Sequence, residues 1–184
     1  MRRELTINRD RFTLYLTEEK IQARVKQLAK QISTDYEGKI PIFIGILNGS
    51  FVFMADLIRY VNVDCEIDFL KLSSYGDAKI SSGNVKMLKE LNCPVEGRHI
   101  VIVEDVVDTG LSIDFIMKLI SMQNPSTLKV VSLLYKKESI KINVPIHYVG
   151  FNIPNYFVIG YGLDYAQKVR NLRGIYRLAG QRVN

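Results

Sequence analysis

The sequence predicts an α/β fold: a mostly parallel central sheet flanked by helices. Two stretches carry the prediction. Ile100 to Val103 is an unbroken run of β-branched apolar residues, and Pro41 to Leu47 is a second apolar run. Strands buried on both faces of a parallel sheet read this way, without polar alternation. Each run leads into a short turn of small or polar residues and then into an apolar pattern at helical spacing. A chain of 184 residues, 47% of them hydrophobic, is expected to form one domain over residues 1–184, with a core that needs neither disulfide nor structural metal.

Taken in order, Arg2, Arg3, Arg9 and Arg11 mark residues 1–12 as a loose N-terminal arm. Thr17-Glu18-Glu19 caps a helix whose apolar positions Ile21, Val25, Leu28, Ala29 and Ile32 keep helical spacing. After the strand at 41–47, Asn48-Gly49-Ser50 opens a helix from about Phe51 to Tyr60, so backbone amides are brought to the sheet edge. A third strand spans Cys65 to Ser73. The polar, glycine-bearing stretch from Ser74 to Asn84 and a strand from Val85 follow.

The central stretch is Val103-Glu104-Asp105-Val106-Val107-Asp108-Thr109-Gly110-Leu111-Ser112. Its strand is expected to end at the two carboxylates, because neighbouring strand residues point to opposite faces and two buried acids need partners. The turn Asp108-Thr109-Gly110 then leads into a helix carrying Ile113, Ile116, Leu119 and Ile120. Ligands of open α/β sheets bind beyond the carboxyl ends of strands, and helix N-termini offer free N–H groups to anions. A phosphate suits the turn from Asp108 to Ser112, whereas the acids suit hydroxyl groups or a metal. Phosphoribose meets both demands. Beyond this helix, Leu128 to Tyr135 is another strand, ending in Lys136-Lys137. Tyr148 to Ile153 and Phe157 to Ile159 flank a Pro154-Asn155 turn.

This stretch resembles the phosphoribosyl pyrophosphate signature of type I phosphoribosyltransferases, and in particular that of the hypoxanthine (hypoxanthine-guanine) phosphoribosyltransferases. The resemblance extends from about residue 13 to 178. It implies the type I phosphoribosyltransferase fold, with a lid loop over 73–90 carrying Ser74 and Tyr75, and a small C-terminal hood over 148–184 that includes the base-binding segment. It implies phosphoribosyl pyrophosphate binding by Leu47, Asn48, Gly49, Glu104, Asp105, Val107, Asp108, Thr109, Gly110, Leu111, Ser112 and Arg170. Family members usually have Lys or Arg before the loop glycine, often after a cis peptide bond, so Asn48 departs from the pattern. The resemblance assigns Asp108 as general base, and Lys136, Phe157, Val158, Leu163 and Asp164 to the purine. Lys136 would donate to a 6-oxo group. Mg²⁺ is the implied cofactor, with Glu104, Asp105 and Asp164 as its ligands. The implied activity moves 5-phosphoribose to N9 of hypoxanthine or guanine, in a homo-dimer or homo-tetramer.

Other features bound the reading. The net charge of +6 favours an anionic partner. Nucleic acid is not the expected one, because no recognisable binding module or Lys/Arg-rich block occurs. His99, His147, Cys65 and Cys93 form no zinc spacing, so a metal should be oxygen-ligated. No apolar run approaches the ~20 residues of a membrane span, and Met1-Arg2-Arg3-Glu4 leads into no signal core, so the cytoplasm is expected. Gly160-Tyr161-Gly162-Leu163-Asp164-Tyr165 imitates a dinucleotide fingerprint but has Tyr165 in the third glycine position. Two further classes are open. One is a regulatory protein that senses phosphoribosyl pyrophosphate, which needs neither a base nor a purine pocket. The other is a receiver-type phosphoacceptor, whose acids belong nearer the chain start.

Overall fold

The computed structural model describes residues 2–74 and 85–181. Its elements in chain order are β1 (Glu4–Ile7), β2 (Asp10–Leu16), α1 (Glu18–Asp35), β3 (Ile42–Leu47), α2 (Phe51–Tyr60), β4 (Glu66–Ser74), β5 (Val85–Lys89), β6 (His99–Val107), α3 (Leu111–Ser121), β7 (Thr127–Tyr135), β8 (Tyr148–Asn152), β9 (Val158–Ile159) and β10 (Ile175–Leu178). A six-stranded sheet has the order β5-β4-β3-β6-β7-β8. Five of its strands run parallel, and β5 joins antiparallel at the β4 edge. Among the described residues, no helix is long and apolar enough to cross a membrane.

The central strands are apolar on both sides because both sides are covered. Phe43, Val101, Val103, Val131 and Leu133 pack with Val25, Leu28 and Ile32 of α1 and Phe53 and Leu57 of α2. Ile42, Ile44, Ile100, Ile102 and Val130 face the opposite way, against Ile113, Ile116 and Ile120 of α3. Thr17 caps α1 as expected, its side chain accepting from the Lys20 N–H at 3.4 Å. The crossover through α2 leads outward from β3 to β4, and that through α3 leads the other way from β6 to β7. Strand order therefore reverses between β3 and β6, and a crevice opens at their carboxyl ends.

Three expectations need correction. The stretch expected as a loose arm, residues 1–12, instead enters a hairpin of β1 and β2: Ile7 pairs with Asp10, and the connecting Asn8 and Arg9 both have positive φ (49° and 77°). Two positive φ values match the twist of a two-residue hairpin, and asparagine tolerates this conformation. The hairpin is held because Phe12 is buried with Ile159 and Tyr176, while Leu5, Ile7 and Leu14 pack around them. Second, the hood does not start at residue 148. β8 belongs to the main sheet, and the small antiparallel sheet has the order β1-β2-β10-β9, so both ends of the chain build it. Third, β6 does not stop before Glu104. Its ladder with β7 continues through Glu104↔Ser132 to Val107↔Tyr135, which satisfies the backbone on that side. Of the expected lid, Tyr75 and the rest of 75–84 lie outside the described residues, and Ser74 ends β4.

One buried carboxylate ties the sheet edge together. Asp68 of β4 is 6% exposed, and its Oδ1 accepts from Lys89 Nζ (2.9 Å) and from the Phe69 N–H (2.7 Å). Its Oδ2 accepts from the Asn92 and Cys93 N–H groups at 2.6 and 3.1 Å. Burial alone would raise its pKa, but the lysine and the three backbone donors outweigh it and pull the carboxyl below its ordinary 3.8. A depressed pKa gives stability that is present above the unfolded value and is lost as pH falls through the folded one. Asp68→Asn, which turns two N–H groups toward an amide, is expected to cost about 1–3 kcal/mol at pH 7. Denaturant unfolding should show this gap narrowing below about pH 4. A gap independent of pH would contradict the assignment.

Candidate active site

The β3–β6 ladder ends at Gly45↔Val103. Past it the two strands diverge, and the candidate site residues lie at the opening. From β3 comes Leu47-Asn48-Gly49-Ser50, with a cis Leu47–Asn48 peptide. Asn48 is exposed. Ser50 is fully buried, and its hydroxyl donates to the Ile46 carbonyl at 2.6 Å, folding the chain straight into α2.

Gly49 is pinned from two sides. A Cβ on it would stand 1.9 Å from Asp105 Oδ2. A Cβ on Gly162, whose φ is +99°, would stand 2.1 Å from the Gly49 carbonyl oxygen. Gly49 therefore joins β6 to the 160–164 turn, and only glycines permit such an approach. Asp105 is 7% exposed and cannot step aside. Gly49→Ala is expected to destabilise the protein by about 1–3 kcal/mol, as overpacking does. Chemical denaturation would read this directly, and wild-type stability would contradict the packing.

Glu104 lines a concavity with Val106, Asp108, Thr109, Gly110 and Ser112. Its Oε2 is buried without a hydrogen-bond partner. Burial, and then the neighbouring Asp105 charge, push its pKa well above the ordinary carboxyl value. Burial also raises Asp105, against the opposing pull of hydrogen bonds and Arg170. Two acids held so reluctantly as anions suit a ligand that brings hydroxyl donors or a cation.

The turn after β6 caps α3 through Gly110, whose φ is +83° and whose missing Cβ leaves room for the Ile142 carbonyl, 2.5 Å from that position. The first bond of the helix runs from the Asp114 N–H to the Gly110 carbonyl at 2.9 Å. The amides of Leu111 and Ser112 precede it, so the concavity wraps a helix N-terminus, which attracts anions.

Parallel pairing of β6 and β7 carries Asp108 and Lys136 to adjacent strand ends. Lys136 is 8% exposed, and its Nζ donates to Asp108 Oδ2 at 2.9 Å and to Asn155 Oδ1 at 3.4 Å. Phe157 is 41% exposed, with its ring 5.8 Å from that of Tyr165 and 6.2 Å from that of Phe12. Val158 and Leu163 are buried. Gln181 clamps this segment: its Oε1 accepts from the Phe157 N–H at 2.7 Å, and its Nε2 donates to the Asn155 carbonyl at 3.0 Å. Asp164 pairs with Arg170 at 2.9 Å, and Arg170 Nη1 donates to the Gly162 carbonyl at 2.9 Å.

The site residues thus fall into three groups: 47–49 with Asp105, Gly162 and Arg170; Glu104 with the 107–112 turn; and Asp108 with Lys136 beside the 155–158 segment. Among the described residues no three His, Cys, Asp or Glu side chains gather into a metal cage, so Glu104, Asp105 and Asp164 do not form one by themselves. Oxygen donors with an unpartnered Glu104 oxygen nonetheless fit Mg²⁺, which usually keeps several waters and takes one or two carboxylates together with substrate phosphates. Sequence reasoning missed Asn155, Gln181 and Gly162. Asn155 carries a turn signal only, Gln181 acts across 24 or more positions, and Gly162 stands in the sequence only as part of an incomplete dinucleotide pattern.

Comparison with known proteins agrees with this geometry. The phosphoribosyl transferase domain family matches residues 13–166. The chain is 43% identical to a hypoxanthine-guanine phosphoribosyltransferase of Bacillus subtilis over 157 residues, covering 85% of this chain and 87% of the relative. It is 44% identical to the enzyme of that name from Dictyostelium discoideum over 160 residues, covering 85% and 89%. A crystal structure of a hypoxanthine-guanine phosphoribosyltransferase from Bacillus anthracis superposes with a TM-score of 0.86 at 43% identity, covering 90% of this chain and 97% of that one. The sheet, the reversal of strand order, the glycine-bearing turns after β3 and β6 and these relatives agree: the chain belongs to the phosphoribosyl transferase domain family, in its hypoxanthine-guanine phosphoribosyltransferase branch.

Proposed function

We propose that this chain transfers 5-phosphoribose from phosphoribosyl pyrophosphate to N9 of hypoxanthine, and of guanine, releasing pyrophosphate. The observation that carries the reading is the contact between Asp108 and Lys136 beside a phosphate-type helix N-terminus. The contact pairs a carboxylate with a donor-only ammonium, and the same ammonium reaches Asn155, two residues before the exposed Phe157.

In this mechanism the amides from Thr109 to Ser112 hold the 5′-phosphate. Glu104 and Asp105 accept hydrogen bonds from the ribose hydroxyls. Leu47, Asn48 and Gly49 present backbone groups to the pyrophosphate, and Arg170 adds a charge-assisted fork. Glu104, Asp105 and Asp164 are the residues that would hold Mg²⁺, which when bound neutralises charge on the departing pyrophosphate. Phe157 stacks on the purine and Lys136 donates to its O6. The C1–O bond to pyrophosphate breaks, the C1–N9 bond forms, and Asp108 takes the purine ring proton. The resemblance further supports a homo-dimer or homo-tetramer working in the cytoplasm.

Supplying Mg²⁺ and phosphoribosyl pyrophosphate with hypoxanthine, guanine, xanthine, adenine or uracil in turn tests the reading. Nucleotide is expected from hypoxanthine and guanine, with little from adenine and none from uracil. Tight phosphoribosyl pyrophosphate binding without turnover of any base would favour a regulatory sensor instead.

A further inference from the structure

We propose that Tyr161 is a positioning residue for the pyrophosphate half of the site, acting through its hydroxyl bond to Asp56 of α2. The proposal rests on the phosphoribosyl-transfer reading above. Tyr161 is 3% exposed, yet its backbone lies in the left-handed region with φ 51°, between Gly160 at 92° and Gly162 at 99°. A bulky residue in that region is an outlier that the surroundings must hold in place.

The hold is visible in the side chain. Tyr161 donates its hydroxyl proton to Asp56 Oδ2 at 2.6 Å. The same oxygen accepts from Gln22 Nε2 of α1, and the Tyr60 hydroxyl donates to Gln22 Oε1 at 3.3 Å. Burial, and then Asp56, raise the Tyr161 pKa, so the hydroxyl stays a donor.

What this anchor controls follows from its neighbours. α2 starts at Phe51, two residues after Gly49, and carries Asp56 in its second turn, so the two are close neighbours along the chain. Gly162, the residue after Tyr161, lies against the Gly49 carbonyl and accepts from Arg170 Nη1. Its N–H in turn donates to the Arg170 carbonyl at 2.9 Å. The Asp56–Tyr161 bond therefore braces the backbone at Gly162, which holds Arg170 through its carbonyl and lies against the Gly49 carbonyl, and its hydrogen bonds run to α1 and α2 and not to Lys136 or Asp108.

Tyr161→Phe keeps the ring packing and removes only the bond to a charged acceptor. KM for phosphoribosyl pyrophosphate should rise about 5–30-fold. KM for hypoxanthine and kcat should stay within about twofold of wild type, as for lost uniform binding. Asp56→Ala should reproduce the effect, Asp56→Asn should restore most of it through its amide oxygen, and the double variant Asp56→Ala/Tyr161→Phe should add nothing further. A lowered Tm with both KM values unchanged, or with both raised together, would show a merely structural role and overturn the proposal. Titration of Mg²⁺ and inorganic pyrophosphate into the free protein gives a readout independent of turnover. If wild type makes no nucleotide, the transfer reading fails by itself. Pyrophosphate binding weakened in Tyr161→Phe then still supports the positioning role, and equal binding, or none in wild type, overturns it.

Discussion

Asp108→Asn is expected to lower kcat with hypoxanthine by about 10²–10⁴-fold, the usual worth of a general base. The substitution is informative because so little else changes. Asp108 is half exposed, and its carboxylate pairs with Lys136 at 2.9 Å. Asparagine keeps an oxygen for that ammonium and occupies the same space, so the turn leading to Gly110 and the Lys136 side chain should both remain in place. What it lacks is the ability to take a proton. KM for both substrates should therefore change little, and kcat and kcat/KM should fall together, as for an interaction made only in the transition state. Single-turnover kinetics would show whether the chemical step is the one slowed. Undiminished turnover would remove Asp108 from the mechanism.

Lys136→Ala should act on recognition. Its ammonium is buried, donor-only, and within reach of Asp108 and Asn155. Such a group favours a carbonyl at purine position 6 and disfavours an amino group, which offers it no good acceptor. Losing a charged hydrogen bond is expected to raise KM for hypoxanthine about 10–100-fold. The ratio of kcat/KM for hypoxanthine over adenine should fall toward one, because a site that no longer demands an acceptor no longer rejects its absence. Global stability should hold, since Asp108 is open enough to be hydrated once its partner is gone. Retained affinity together with retained discrimination would refute the role.

Much of this was legible in the sequence for physical reasons. The cores of β3 and β6 were readable because strands covered on both faces cannot afford polar residues. The bounds of α2 were readable because its apolar face starts directly after a turn of small residues. The turn from Asp108 to Ser112 was readable because an acid, a hydroxyl and a glycine ahead of a helix have few structural uses.

The misses share a different cause. The arginines at 2, 3, 9 and 11 hid the alternation of Leu5, Ile7, Phe12 and Leu14, whose partners Ile159 and Tyr176 lie at the other end of the chain. β6 was cut short because two acids look like a strand end, and only its pairing with β7 shows otherwise. The contacts of Asp56 with Tyr161, and of Gln181 with Asn155 and Phe157, join residues 105, 26 and 24 positions apart. Local pattern carries no trace of such pairs. Gly162 was seen, but its task is to approach Gly49, which no linear motif expresses.

Phosphoribosyl transfer is tested most directly by the initial rate of inosine 5′-monophosphate formation from hypoxanthine and phosphoribosyl pyrophosphate with Mg²⁺, followed together with pyrophosphate release. One nucleotide should form per pyrophosphate released, at a rate that collapses in Asp108→Asn. Pyrophosphate released without nucleotide, or no product at all from a folded protein that binds both substrates, would contradict it.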